Sequence, residues 1–268
     1  MTGIVKRIKI SGAELNVVDR GQGPPILFVH GFPLSHSMWQ AQLNELEDDF
    51  RVIAPDLRGF GQSSMANGTV TMDQFADDLN ALIDALDVRE PISFCGHSMG
   101  GYIAWQFVQK YSKRLRSLIL CNTRAVADTV EVAERRRKLA VRVIQQGPKV
   151  VATALISRLF AESTIKRRSE VIQSVRDMIH STEPRSIAVV LHGMAERPDS
   201  RDILSRIKVP TLVVVGEQDI IATATEMKQI AESIDQSEFV VIAESGHMSP
   251  MEMPNPVNSA IRRFLNRH

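Results

Sequence analysis

The chain has two cysteines in 268 residues, only 5% aromatic residues, and no excess of either charge, since 32 Lys and Arg stand against 31 Asp and Glu for a net of +1. Two thiols cannot staple a small disulfide fold. Cys95 and Cys121 each sit in or beside an apolar run, so both are expected to be free, buried and kept reduced. Balanced charge gives no general pull toward nucleic acid or an anionic membrane, and neither partner is expected. No segment approaches the ~20 apolar residues of a membrane span. The N-terminal MTGIVKRIKISGAELNVV alternates charge with β-branched residues and lacks the apolar stretch of a leader. The reading is a cytoplasmic protein, monomer or homodimer. Asn67-Gly68-Thr69 spells a glycosylation sequon, which in that setting reads as a turn.

What is present is apolar material for a large core, 44% of the chain, in a recurring order. Ile4 to Ile10 and Glu14 to Asp19 alternate around Ser11-Gly12, the pattern of an antiparallel hairpin with one wet face. Short continuous apolar runs follow: Ile26 to Val29, Val52 to Ala54, Ile92 to Cys95, Leu118 to Cys121, Leu212 to Val215 and Phe239 to Ile242. Runs of this kind suit parallel strands covered by helices on both faces. Between them lie helical patterns. Met72, Phe75, Leu79, Leu82 and Leu86 form one apolar stripe over 71 to 87, with Asp73, Asp77, Asp78 and Asp84 on the wet side. A final helix over about 254 to 267 turns Val257, Ile261 and Phe264 inward. The fold class is therefore α/β, a mostly parallel sheet with an antiparallel edge and helices on both faces.

The rhythm breaks after Cys121. Residues 122–198 show no convincing strand but several helical patterns, Val132 to Gln145, Val150 to Phe160 and Ile165 to Ile179 among them, and read as a helical cap inserted in a core made of residues 1–121 and 199–268. Over 122–200 the charge is 14 Lys and Arg against 9 Asp and Glu, a net of +5 that leaves −4 elsewhere. Arg135 to Lys138 and Lys166 to Arg168 are basic runs expected to be solvated helix faces.

Chemistry enters at Gly96-His97-Ser98-Met99-Gly100-Gly101, a G-x-S-x-G between an apolar strand and a helix. The sharp turn needs small residues two before and two after the serine, because bulk there would strike neighbouring backbone. A serine hydroxyl is a weak nucleophile and needs a base, and the base needs a carboxylate to fix its tautomer. Parts in the order serine, acid, histidine leave His247 and the terminal His268 after the late strands, and a chain end frays. His247, just past the last apolar run, is the expected base. The acid should follow a late strand, and Gly216-Glu217-Gln218-Asp219 offers Asp219, with Glu217 as competitor. The alternative place, after the preceding strand, holds Asn122, which is no carboxylate. Two amides are expected to form the oxyanion hole, those of Met99 and of Phe32 in His30-Gly31-Phe32-Pro33. His30 is expected to bond backbone near that loop, and His97 to pack beside the elbow. Trp39, Phe160 and Met194 are candidate pocket walls, and Arg124 a candidate for a substrate carboxylate or for a salt bridge.

Together with Asp56-Leu57-Arg58-Gly59-Phe60-Gly61-Gln62-Ser63, these motifs resemble the α/β-hydrolase superfamily over essentially the whole chain, and within it the small capped esterases similar to 3-oxoadipate enol-lactonases and cofactor-free haloperoxidases. The resemblance implies an eight-stranded sheet and a two-step acyl transfer through a Ser98 acyl-enzyme on a small ester or lactone. It implies no cofactor or metal. The sequence spells no H-E-x-x-H and no P-loop, and Gly59-Phe60-Gly61 lacks the third glycine of a dinucleotide site. Carbon–carbon hydrolysis, perhydrolysis and thioester cleavage share the same elbow, and a ligand receptor on this scaffold is the reading from another class.

Overall fold

A computed structural model describes residues 5–65 and 68–268. Ile4 of the first alternating segment and Asn67 of the sequon lie outside the described residues. The two alternating segments and the six continuous apolar runs become strands: β1 (Val5–Ile10), β2 (Ala13–Arg20), β3 (Pro25–Val29), β4 (Arg51–Pro55), β5 (Ile92–His97), β6 (Leu115–Cys121), β7 (Thr211–Gly216) and β8 (Ser237–Ile242). They pair in one eight-stranded sheet in the order β1-β2-β4-β3-β5-β6-β7-β8. Strands β3 to β8 run parallel, and β2 lies antiparallel to both β1 and β4. The carboxyl ends of β3 and β5 to β8 therefore open onto one edge, where a doubly covered parallel sheet presents its loops.

Helices cover the faces: α1 (Gln40–Leu46), α2 (Met72–Ala85), α3 (Met99–Tyr111), α4 (Val130–Gln146), α5 (Lys149–Leu159), α6 (Glu162–Arg167), α7 (Ser169–His180), α8 (Pro184–Ala195), α9 (Ala224–Glu232), α10 (Ser249–Glu252) and α11 (Pro254–Leu265). Five of them, α4 to α8, fill the interval between β6 and β7, with α4 packed on α8. Helix α11 buries Val257, Ile261 and Phe264 completely, as its spacing predicts. Cys95 and Cys121 are free and fully buried on neighbouring strands. Among the described residues no helix is long and apolar enough to cross a membrane.

Four expectations need correction. Asp78 is not on the wet side of α2. It turns inward and takes two bonds from Arg58, at 2.8 and 2.7 Å, because a buried carboxylate is stable there only when paired. The run at β8 is not covered on both faces. It is the sheet's last strand, and Val241 remains 44% exposed. The pattern Ile165 to Ile179 is two helices, broken at Arg168 (φ −131°, ψ 58°), whose guanidinium reaches the backbone carbonyl of Glu252 at 2.6 Å. The basic run 135 to 138 is not wholly solvated either. Arg136 turns in to Asp128 at 2.6 Å, and Asp128 also takes Arg197 at 2.7 Å.

Candidate active site

The turn after β5 is as tight as its glycines require. A Cβ on Gly96 would lie 2.5 Å from the Gly100 carbonyl oxygen, and one on Gly100 would lie 2.3 Å from the Val29 carbonyl oxygen. Ser98 sits between them at φ 50°, a left-handed conformation that non-glycine residues adopt at a cost. Four contacts hold that strained turn. The Ser98 amide donates to Cys121 O at 3.0 Å, and Ser98 O accepts from the amides of Gly101 and Tyr102 and from Thr123 Oγ1 at 2.7 Å. The side chain is left half-buried at the sheet's carboxyl edge.

His247 reaches it from the loop after β8. Its Nε2 lies 2.9 Å from Ser98 Oγ, and its Nδ1 lies 2.8 Å from Asp219 Oδ2 in the turn after β7. With Asp219 a carboxylate, Nδ1 is the donor, so Nε2 carries the lone pair and accepts the serine proton. Asp219 is itself held on all sides. Its Oδ1 accepts the amides of Ile221 at 2.7 Å and Ala222 at 3.0 Å, and Oδ2 accepts Asn122 Nδ2 at 2.9 Å. Burial would raise its pKa, but the charge and hydrogen bond of His247, with the bonds from Asn122 and the Ala222 amide, outweigh that and hold it below the ordinary value. Glu217 is exposed and bonds the Glu244 amide at 3.2 Å.

Two further histidines stay neutral beneath the site. His97 Nε2 donates to the His247 carbonyl at 2.8 Å, and burial together with the charge of His247 lowers its pKa to about 3. His30 donates from Nδ1 to Gly31 O and accepts the Leu57 amide at Nε2, both at 2.9 Å, with its pKa lowered by burial to about 4. The loop they support runs against the nucleophile. A Cβ on Gly31 would meet Ser98 Cβ at 3.3 Å, which brings the Gly31-Phe32 segment beside Ser98, with the Phe32–Pro33 bond cis. Met99 opens α3, where a helix's first amides have no partner within the helix.

The structure thus brings Ser98, His247 and Asp219 together, with Met99 next to the serine in the chain and Gly31, the neighbour of Phe32, packed against it. The four suggested substrate contacts are scattered. Trp39 is fully buried between Phe28, at a ring distance of 5.2 Å, and His97, at 6.3 Å. Phe160 is buried with its backbone against the His247 loop, where a Cβ on Gly246 would meet its carbonyl carbon at 2.7 Å. Met194 is buried and accepts Arg136 at its sulfur, 3.7 Å away. Arg124 pairs with Glu226 on α9 at 2.8 Å and lines a cleft of about 550 Å³ shared with Val126, Leu204, Thr223 and Gln229. None of the three catalytic candidates lines that cleft.

Sequence reasoning missed the frame around this chain. Asn122 was weighed only as an unfit carboxylate, yet its amide bonds Asp219 and the Gly246 carbonyl while its oxygen accepts Ser249 Oγ. Glu252, fully buried, went unread, although a lone charge in the apolar stretch Met248-Ser249-Pro250-Met251-Glu252-Met253 is a visible signal.

Comparison with known proteins follows the same lines. The family model described as the alpha/beta hydrolase fold matches residues 24–169. A thermophilic esterase from Thermogutta terrifontis, solved with malate bound, is 47% identical at a TM-score of 0.96, with 98% of each chain covered. The AB hydrolase superfamily protein YisY of Bacillus subtilis is 35% identical over 94% of this chain and 95% of its own length. The 3-oxoadipate enol-lactonase 2 of Acinetobacter baylyi is 30% identical over 94% of this chain and 93% of its own. With its elbow, its sheet order and these relatives agreeing, the chain belongs to the α/β hydrolase fold family.

Proposed function

We propose that this protein is a serine hydrolase of small carboxylic esters or lactones, with Ser98 as nucleophile, His247 as base and Asp219 as the carboxylate that orients it. The observation that carries the reading is the unbroken chain from Ser98 Oγ through His247 to Asp219 at 2.9 and 2.8 Å. Relatives named as an esterase and an enol-lactonase support the same bond type.

The steps follow from the geometry. His247 Nε2 takes the Ser98 proton as Oγ attacks the carbonyl carbon, and the developing oxyanion is met by the Phe32 and Met99 amides, donors worth roughly 3 to 4 kcal/mol each by the cost of removing one. His247 then passes the proton to the leaving alkoxide or enolate. In the second half, His247 takes a proton from water, which attacks the acyl-enzyme and releases the acid with Ser98 restored. Asp219 stays ionised throughout and stabilises the imidazolium. Residues 122–198 serve as the cap, and the substrate enters between it and the sheet edge. Leu159, whose carbonyl accepts the His247 amide at 2.8 Å, joins the cap to the base's loop.

The test is steady-state hydrolysis of p-nitrophenyl esters from acetate to decanoate by wild type and Ser98→Ala, with circular dichroism on both. Turnover lost with Ser98 supports the reading, and its chain-length optimum sizes the pocket. A folded wild type with no Ser98-dependent turnover on any ester sinks it.

A further inference from the structure

The loop carrying His247 is tied to the helical insert as well as to the sheet edge, where His97 and Asn122 hold the His247 and Gly246 carbonyls. The His247 amide donates to Leu159 O at 2.8 Å, and the Met248 amide reaches the same oxygen at 3.2 Å. There is no slack between the two segments, since a Cβ on Gly246 would sit 2.6 Å from Ala161 N. Wedged against both is the Glu252 carboxylate, 1% exposed. Oε1 accepts the amides of Gly246 at 2.9 Å and Met248 at 3.1 Å, the residues flanking His247. Oε2 accepts the Ala161 amide at 2.8 Å and Thr164 Oγ1 at 2.7 Å, both in the insert. All four of these partners donate, with Ser245 Oγ a weaker fifth at 3.5 Å from Oε1; three are amides that can only donate, so the site favours a group that only accepts, and an ionised carboxylate is that group.

A buried carboxylate normally sits beside a cation. Arg168, the nearby arginine, spends its guanidinium on the Glu170 carboxylate at 3.0 Å and on the backbone carbonyls of Met251 and Glu252. Burial pushes the Glu252 pKa above its ordinary value, partly offset by the bonds from Ala161, Thr164, Gly246 and Met248. An apolar side chain would avoid that cost and leave four donors unmet. Resting on the reading of His247 as base, we infer that Glu252 is a positioning residue that clamps the amides on either side of His247 to the Ala161–Thr164 segment, so that the seating of the insert sets the alignment of the base.

Glu252→Gln tests this, because the variant keeps the shape but turns an NH2 toward N–H donors at one end. The readout is kcat per active site, with sites counted by a fluorophosphonate label on Ser98, and KM on p-nitrophenyl butyrate. A merely structural tie lowers the number of sites and leaves the rate per site alone. The expected result is a drop in kcat per site of about 10- to 100-fold, the scale of a ~1 Å misplacement, with KM within about twofold. Thr164→Val, which removes one donor from the insert side, should lower kcat per site by about threefold. Unchanged kcat per site in a folded Glu252→Gln overturns the inference. If that variant does not fold, unchanged kcat per site in Thr164→Val overturns it. Full activity in Ser98→Ala, measured alongside, would instead remove the reading of His247 as base.

Discussion

At the sheet's carboxyl edge, Ser98, Asp219 and His247 each stand within five residues of a strand end, while the insert between β6 and β7 contains no strand at all and positions its residues by helix packing. The ladder bonds of β5, β7 and β8 fix the three loop origins in register, so small motifs at strand ends are brought to the same place. In the insert, α4 and α8 bury Ala140, Val143, Ile187, Val190 and Leu191 against each other and the core, and its deep charges, Asp128 with Arg136 and Arg197, serve that packing. Strand ends therefore hold the three proposed catalytic residues, and the insert reaches them through contacts made at a distance in sequence, such as Leu159 O to the His247 amide.

The sharpest way to break this contrast is the acid. Asp219→Asn should lose about 10⁴-fold in kcat while staying folded, the scale set by losing the correct histidine tautomer, and Glu217→Gln, at an exposed residue that bonds the Glu244 amide rather than His247, should be unaffected. The reverse pattern would show that strand-end position does not decide the acid. A smaller effect separates the two regions by pH. Buried His30 and His97 have folded pKa values of about 4 and about 3 against 6.5, so the unfolded chain binds more protons as pH falls below 6.5, and the core loses on the order of 3 kcal/mol per histidine on the way to pH 4. Asp128 in the insert is shifted in the same direction, but from a lower reference, so its loss falls in a lower pH window. Burial opposes, but Arg136 and Arg197 hold its pKa below 3.8, so its contribution is present above that value and fades only below it. Urea unfolding from pH 7 to pH 3 in wild type and His97→Asn checks this. An unchanged slope above pH 4 in the variant would remove the core histidines from the account.

Gly193→Ala probes the seam between the regions, since a Cβ there would lie 1.9 Å from the Val70 carbonyl oxygen and would push α8 off the core. A loss of roughly 1 to 3 kcal/mol by thermal unfolding is expected, and no loss would mean that the seam yields freely. Smallest of all should be Arg124→Ala. Glu226 already matches that charge, so KM for a carboxylate-bearing ester should move by less than about twofold relative to a neutral one. A selective rise on the acidic ester would make Arg124 a substrate contact after all.

Much of this was legible in the residues. The elbow could be read because Gly96 and Gly100 face backbone at under 3 Å, a constraint that leaves a local spelling. Buried strands could be read because both faces are covered, and the one misread, β8, is the edge that lacks a neighbour. Asp78 was misplaced because helical spacing records hydrophobicity, and a carboxylate buried by a bidentate arginine twenty residues away leaves no trace in it. The substrate-contact candidates failed to converge for a related reason. Trp39, Met194 and Arg124 were chosen by residue type, and their partners, His97, Arg136 and Glu226, are set by packing.

By itself, then, the sequence determined the strand order of the chemistry, the nucleophile turn and the three residues that face one another across it, because each depends on backbone geometry within a few residues. Only the tertiary structure decided that Asn122 would hold Asp219, that Leu159 would hold the His247 amide and that one buried carboxylate at Glu252 would join the base to the insert. Those contacts span up to 97 residues, and no local pattern encodes them.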